Sequence, residues 1–228
     1  MATYVFIPGA GDVGWYWHLV AAELERRGHE TVAPDLPCDD ESAGLEDYAR
    51  TVIDAIGDRG DLIVVSQSLG SYTAPLVCDQ VPAELMVLVA PMVPRPGESC
   101  EEMLQNTRYA QAFAETRDGD AEAIEGVDAD IATFYHDVPR ALAEEALRRA
   151  RSQAEAPGQE PWPLVAWPDV PTRCVVCRDD RLFPAAWLRE VIEERLGISP
   201  DEIDSAHTPA LSHPEELADR LEGFRSEL

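Results

Sequence analysis

The chain has 228 residues, enough for one substantial core but short for two full domains and a linker, so a single domain spanning 1–228 is expected. Its 44 acidic residues face only 18 basic ones, all arginine, and the formal charge of −26 argues against nucleic acid or an anionic membrane surface as partner. No apolar run approaches the ~20 residues that cross a bilayer, and no basic stretch precedes the apolar start, so a cytoplasmic protein is expected.

Short apolar runs alternate with helix-length amphipathic stretches, the pattern of a parallel sheet covered on both faces. Tyr4 to Ile7 reads as the first strand and ends in Pro8-Gly9-Ala10-Gly11. A helix from about Trp15 to Arg27, a strand from Thr31 to Ala33 and a helix from about Leu45 to Ile56 follow. Leu62 to Val65 is unbroken in its hydrophobicity, as a strand buried on both faces should be, and leads into a helix from Leu69 to about Cys78. After a fourth strand, Leu85 to Val89, the alternation stops. The stretch 92–168 holds a helix-like run, Arg140 to Arg149, and connections rich in Pro and Trp, and is expected to form a mostly helical cap. Alternation resumes with a strand from Arg173 to Cys177, a helix from about Pro184 to Leu196, a short strand near Glu202 to Asp204 and a last helix from Pro214. Ser212, three residues before Glu215, gives that helix a capping signature. The fold class is therefore α/β: a mainly parallel six-stranded sheet with helices on both faces and a cap after the fourth strand.

Ser66-Gln67-Ser68-Leu69-Gly70 follows a buried strand and opens a helix, the context of a nucleophile elbow. Small neighbours let the backbone turn tightly, and Ser66 replaces the usual first Gly. Ser68 is then the nucleophile, although a helix N-cap at Ser66 or Ser68 is the plainer reading of the same residues. A serine needs a base. His207, just after the last predicted strand, is favoured over His213, which sits at a helix start; His18, His29 and His136 read as packed or solvated. The acid should end a strand between the two, where Asp179 and Asp180 both qualify. Oxyanion donors would be the amides of Ala10 and Leu69. Pro8-Gly9-Ala10-Gly11 with Asp35 also permits a dinucleotide reading, but the glycine pattern is unspecific. Five cysteines, an odd number, do not form a disulfide framework, and Cys174-x-x-Cys177 lies in an apolar strand with no second pair to complete a zinc site. In the cap, Met103, Phe134 and Trp162, together with Phe113 and Trp167, are candidate substrate-binding residues.

These motifs resemble the α/β-hydrolase superfamily, and within it the small branch of plant methylesterases, hydroxynitrile lyases and bacterial esterases. The resemblance spans nearly the whole chain: Pro8 to Trp15, the Ser68 elbow, Pro91 to Pro94 with Pro96-Gly97-Glu98, the Asp180-to-Pro184 spacing, and His207 followed by Ser212-His213-Pro214. Relatives commonly have His where this chain has Pro8 and Gln67. The resemblance implies Asp180 as the acid. Lyases of the branch carry a lysine directly after the catalytic histidine; here that place is Thr208 and the chain has no lysine. Expected is a serine hydrolase of small carboxylic esters, with a small-molecule ester as partner, no cofactor and no metal, a homodimer being left open. A thioesterase, a C–C hydrolase or lyase, and a non-catalytic ligand-binding member of the fold are the alternatives.

Overall fold

A computed structural model describes residues 1–116 and 126–228. Strand β1 (Thr3–Ile7) runs into a 3₁₀ turn (Gly14–Trp17) and helix α1 (His18–Arg26); β2 (Glu30–Val32), α2 (Leu45–Ile56), β3 (Leu62–Gln67), α3 (Gly70–Gln80) and β4 (Ala83–Val89) follow. After β4 come α4 (Cys100–Asn106), α5 (Tyr109–Thr116), α6 (Val127–Phe134), α7 (Arg140–Arg149) and α8 (Ala156–Gln159). The sheet is then completed by β5 (Thr172–Cys177), α9 (Ala185–Leu196), β6 (Asp201–Ile203), α10 (Pro209–Ser212) and α11 (Pro214–Ser226). All six strands are parallel, in the order β2-β1-β3-β4-β5-β6.

Parallel strands need both faces covered, and the period-two alternation of side chains divides the core accordingly. Val5, Ile7, Val64, Met86, Leu88, Cys174 and Val176 pack with α2, α3 and α9, whereas Tyr4, Phe6, Ile63, Val65, Val87, Val175 and Ile203 pack with α1 and α11. Cys174 belongs to the first face and Cys177 to the second, so the two thiols of the C-x-x-C point apart. Burial pushes the Cys174 thiol up to about 12 and raises that of Cys177 as well, which leaves both as inert core residues.

The helical cap is tied to the sheet by buried polar contacts. Ser99 caps α4 and Glu102 reaches back to its amide. Glu98 accepts from Arg195 of α9, whose guanidinium also donates to the Val93 carbonyl at 2.6 Å. Burial pushes the Glu98 carboxyl up, but the Arg195 guanidinium, the Arg95 amide and Asn106 outweigh it and hold Glu98 below the usual range. Two expectations change. The helix foreseen from Trp15 begins as the 3₁₀ turn, with Tyr16 and Trp17 buried under the sheet. Ser212 does not cap α11: it closes α10, its hydroxyl donating toward the Thr208 carbonyl at 3.4 Å, and His213 is the N-cap with no side-chain cap bond. Pro209 and Pro214 each start a separate turn, because proline is pre-set for the first helical position and cannot continue a preceding one. Among the described residues no helix is long and apolar enough to cross a membrane.

Candidate active site

Ser68 sits at the end of β3 with φ +52°, a left-handed conformation unusual for a residue with a Cβ. Its surroundings hold it there. Its amide donates to the Val89 carbonyl at 3.1 Å, and its own carbonyl accepts from Ser71 at 3.1 Å and from Met92 at 3.3 Å. Two residues on, a Cβ on Gly70 would lie 2.5 Å from the Pro8 carbonyl oxygen, so the chain can turn this close to β1 only with glycine there. Ser66 fits in place of the usual glycine because its buried hydroxyl pairs with that of Ser71 at 3.2 Å.

His207 follows β6 and is 4% exposed. Its Nδ1 lies 2.7 Å from Asp180 Oδ2, which makes Nδ1–H the donor and leaves Nε2 as the ring nitrogen for proton transfer. The other oxygen of Asp180 accepts the amides of Leu182 at 2.8 Å and Phe183 at 3.0 Å, so the turn after β5 fixes the carboxylate. Asp179, the competing acid, is exposed and engages its neighbours through backbone, its carbonyl accepting from His136 Nε2 at 2.9 Å. His213, the competing base, bonds Ser212 Oγ at 2.9 Å and lies 3.6 Å from Asp137, outside the cavity described next. The rings of Phe134 and Phe183 stand edge-on to His207 at 5.8 and 5.3 Å between centroids.

A cavity of about 580 Å³ opens over the C-terminal ends of the strands. Ser68, His207, Ala10, Leu69 and Phe134 line it, so five of the residues singled out from the sequence meet at one place. The amides of Ala10 and Leu69 have no protein acceptor among the described residues, as oxyanion donors require. Met103 and Trp162 do not line it. Met103 is wholly buried and Trp162 is 1% exposed, packed into the core over α3 with Nε1 donating to the Tyr72 carbonyl at 3.0 Å. Trp167 likewise donates to the Pro94 carbonyl, at 3.0 Å. For these tryptophans, satisfying the indole N–H and burying the ring against the sheet outweighs exposure to a cavity. Asp35 is no ribose ligand: it accepts the Gly14 amide at 2.8 Å and pairs with Arg151 at 3.0 Å.

Sequence reasoning missed three contributors. Gln67, noted only as a replacement for histidine, is buried, lines the cavity and donates to the His207 carbonyl at 3.2 Å. The segment after α7 straps the first loop, Arg151 donating its amide to Gly11 at 2.8 Å and Gln153 accepting the Gly11 amide at 3.0 Å. Asp12 places a carboxylate on the cavity wall near His207; burial pushes it up to about 6, and His207 only partly offsets that. Asp12 lies in the Pro8 to Trp15 stretch that carries the resemblance, but nothing in that motif gives its side chain a role; its position in the fold does.

A doubly covered parallel sheet, with a serine at positive φ after the third strand and a histidine–aspartate pair at later strand ends, is the architecture of an α/β hydrolase. The chain belongs to the alpha/beta hydrolase family, whose model matches residues 4–220. It is 31% identical to the probable esterase PIR7A of Oryza sativa subsp. indica over 109 residues, a stretch covering 42% of this chain and 41% of the rice protein. It is 24% identical to the pyrethroid hydrolase of Sphingobium wenxiniae over 96% of this chain and 86% of that one. The crystal structure of polyneuridine aldehyde esterase superimposes with a TM-score of 0.81 at 18% identity, covering 99% of both chains, which shows a shared fold.

Proposed function

We propose that the protein is a serine hydrolase of small carboxylic esters. The observation that carries this reading is that His207, paired with Asp180 at 2.7 Å, lines the same cavity as Ser68. Ser68 Oγ attacks the ester carbonyl while His207 Nε2 takes its proton, and the oxyanion is held by the Ala10 and Leu69 amides. Collapse of this intermediate breaks the acyl–oxygen bond, and His207 returns the proton to the departing alkoxide. Water, deprotonated by the same nitrogen, then adds to the acyl-enzyme; release of the acid restores Ser68. Asp180 orients the His207 ring and stabilises the imidazolium, and the chemistry calls on no metal or organic cofactor. Similarity to a probable esterase and to a pyrethroid hydrolase supports ester bonds as the substrate class.

Steady-state turnover of p-nitrophenyl acetate by the purified chain tests this. Wild type should hydrolyse it, and Ser68→Ala or His207→Ala should lower kcat about 10⁴-fold or more, because members of a triad act as a unit. Cyanohydrin cleavage without ester turnover would contradict the proposal. Undiminished activity in His207→Ala would do the same.

A further inference from the structure

We propose that Asp12 makes this cavity selective for cationic esters, the carboxylate pairing with an ammonium or quaternary ammonium group carried by the substrate. The inference rests on the ester-hydrolase reading but concerns binding, so the two can fail separately.

Three observations converge on it. First, no arginine neutralises Asp12: no hydrogen bond or ion pair reaches its carboxylate among the described residues, the chain has no lysine, and Arg151, the arginine at the cavity, is held by Asp35 at 3.0 Å and Asp39 at 3.1 Å. A partly buried carboxylate without a cation is unfavourable, and a bound cation relieves that. Second, part of the wall is aromatic. Tyr109, Phe134, Tyr135 and Phe183 line the same space as Asp12, and aromatic rings sharing a cavity with a carboxylate suit alkylammonium groups. Third, Asp12 lies two residues after Ala10, whose amide faces the reacting carbonyl in the proposed mechanism, and lines the same cavity as Ser68, so one molecule can present its ester to Ser68 and its cation to Asp12. The chain's charge of −26 adds a long-range attraction of the same sign.

The test compares esters differing only in charge. One pair is 2-(trimethylammonio)ethyl acetate against 3,3-dimethylbutyl acetate; a second carries the same ammonium and tert-butyl groups on the acyl side. In wild type the ratio of kcat/KM, cationic over neutral, should exceed about tenfold for at least one pair, as expected for a charge-assisted contact. Asp12→Asn should bring that ratio close to one. Because a quaternary ammonium does not titrate and His207 serves both esters, the wild-type ratio should rise as pH passes through about 6, where Asp12 loses its proton. The other titratable or charged groups around Asp12 are Tyr16, Tyr135 and Cys38, with Asp130 and Arg151 at the cavity; none of the three with a raised value ionises near that pH. A wild-type ratio near one for both pairs, or an equal ratio in Asp12→Asn, overturns the proposal. Should neither ester turn over, calorimetric binding of 2-(trimethylammonio)ethanol against 3,3-dimethylbutanol decides: tighter binding of the cation, lost in Asp12→Asn, upholds it, and equal binding refutes it.

Discussion

Asp12 and Asp180 show how two carboxylates of one site diverge. Asp180 receives two backbone amides on one oxygen and the His207 ring on the other, so both carboxylate oxygens have donors. Asp12 has no such donors and is pushed up to about 6. A carboxyl raised above its ordinary value keeps its proton longer in the folded chain, so it favours folding below about 4 and that advantage disappears as pH rises through about 6. Asp12→Asn should therefore leave the Tm nearly unchanged at pH 4 relative to wild type and raise it at pH 8, by the equivalent of about 1–2 kcal/mol. Thermal unfolding of both proteins across that range checks it; a variant less stable than wild type at pH 8 would mean that the carboxylate has a partner.

At the scale of elements, the sequence discloses what periodicity and turn chemistry control. Strands β1, β3, β4 and β5 are apolar on both faces, and the elbow, with its small residues before a helix, marks Ser68 as a candidate in the sequence itself. His207 was legible from its place after the last strand. Asp180 over Asp179 rests in the sequence on the resemblance alone, because both follow the same strand; what separates them physically is which side chain the turn after β5 directs toward His207. The cap was harder still. Its tryptophans look like cavity liners in sequence, since aromatic residues in irregular connections suit both binding and packing. Trp162 proves to be a peg, its indole N–H spent on the Tyr72 carbonyl at 3.0 Å and its ring against α3. Trp162→Ala should accordingly lower stability by about 3–5 kcal/mol, as for other buried aromatic truncations, with denaturant midpoints as the measurement. A stable variant with only an altered substrate range would return this residue to the cavity wall.

Over the whole molecule, the site depends on contacts between residues far apart in the chain. The first loop, the elbow after β3, the turn after β5 and the segment after β6 all lie at the C-terminal edge of one parallel sheet, which is where such sheets gather their ligands. Gln67 binds the His207 carbonyl across 140 positions, and Arg151 and Gln153 strap the cap to the first loop. None of these links has a sequence signature, because each joins generic polar groups whose proximity is decided by strand order. The charge of −26 is likewise a property of the whole chain, and it adds a long-range attraction for cations over anions.

The central claim is that Ser68 is an activated nucleophile at the meeting point of these segments. Incubation of the native chain with a fluorophosphonate, followed by peptide mass spectrometry, tests it most directly. A single adduct on Ser68, absent from a folded Ser68→Ala variant, is the predicted result; an adduct on another residue, or labelling that persists in that variant, would contradict it.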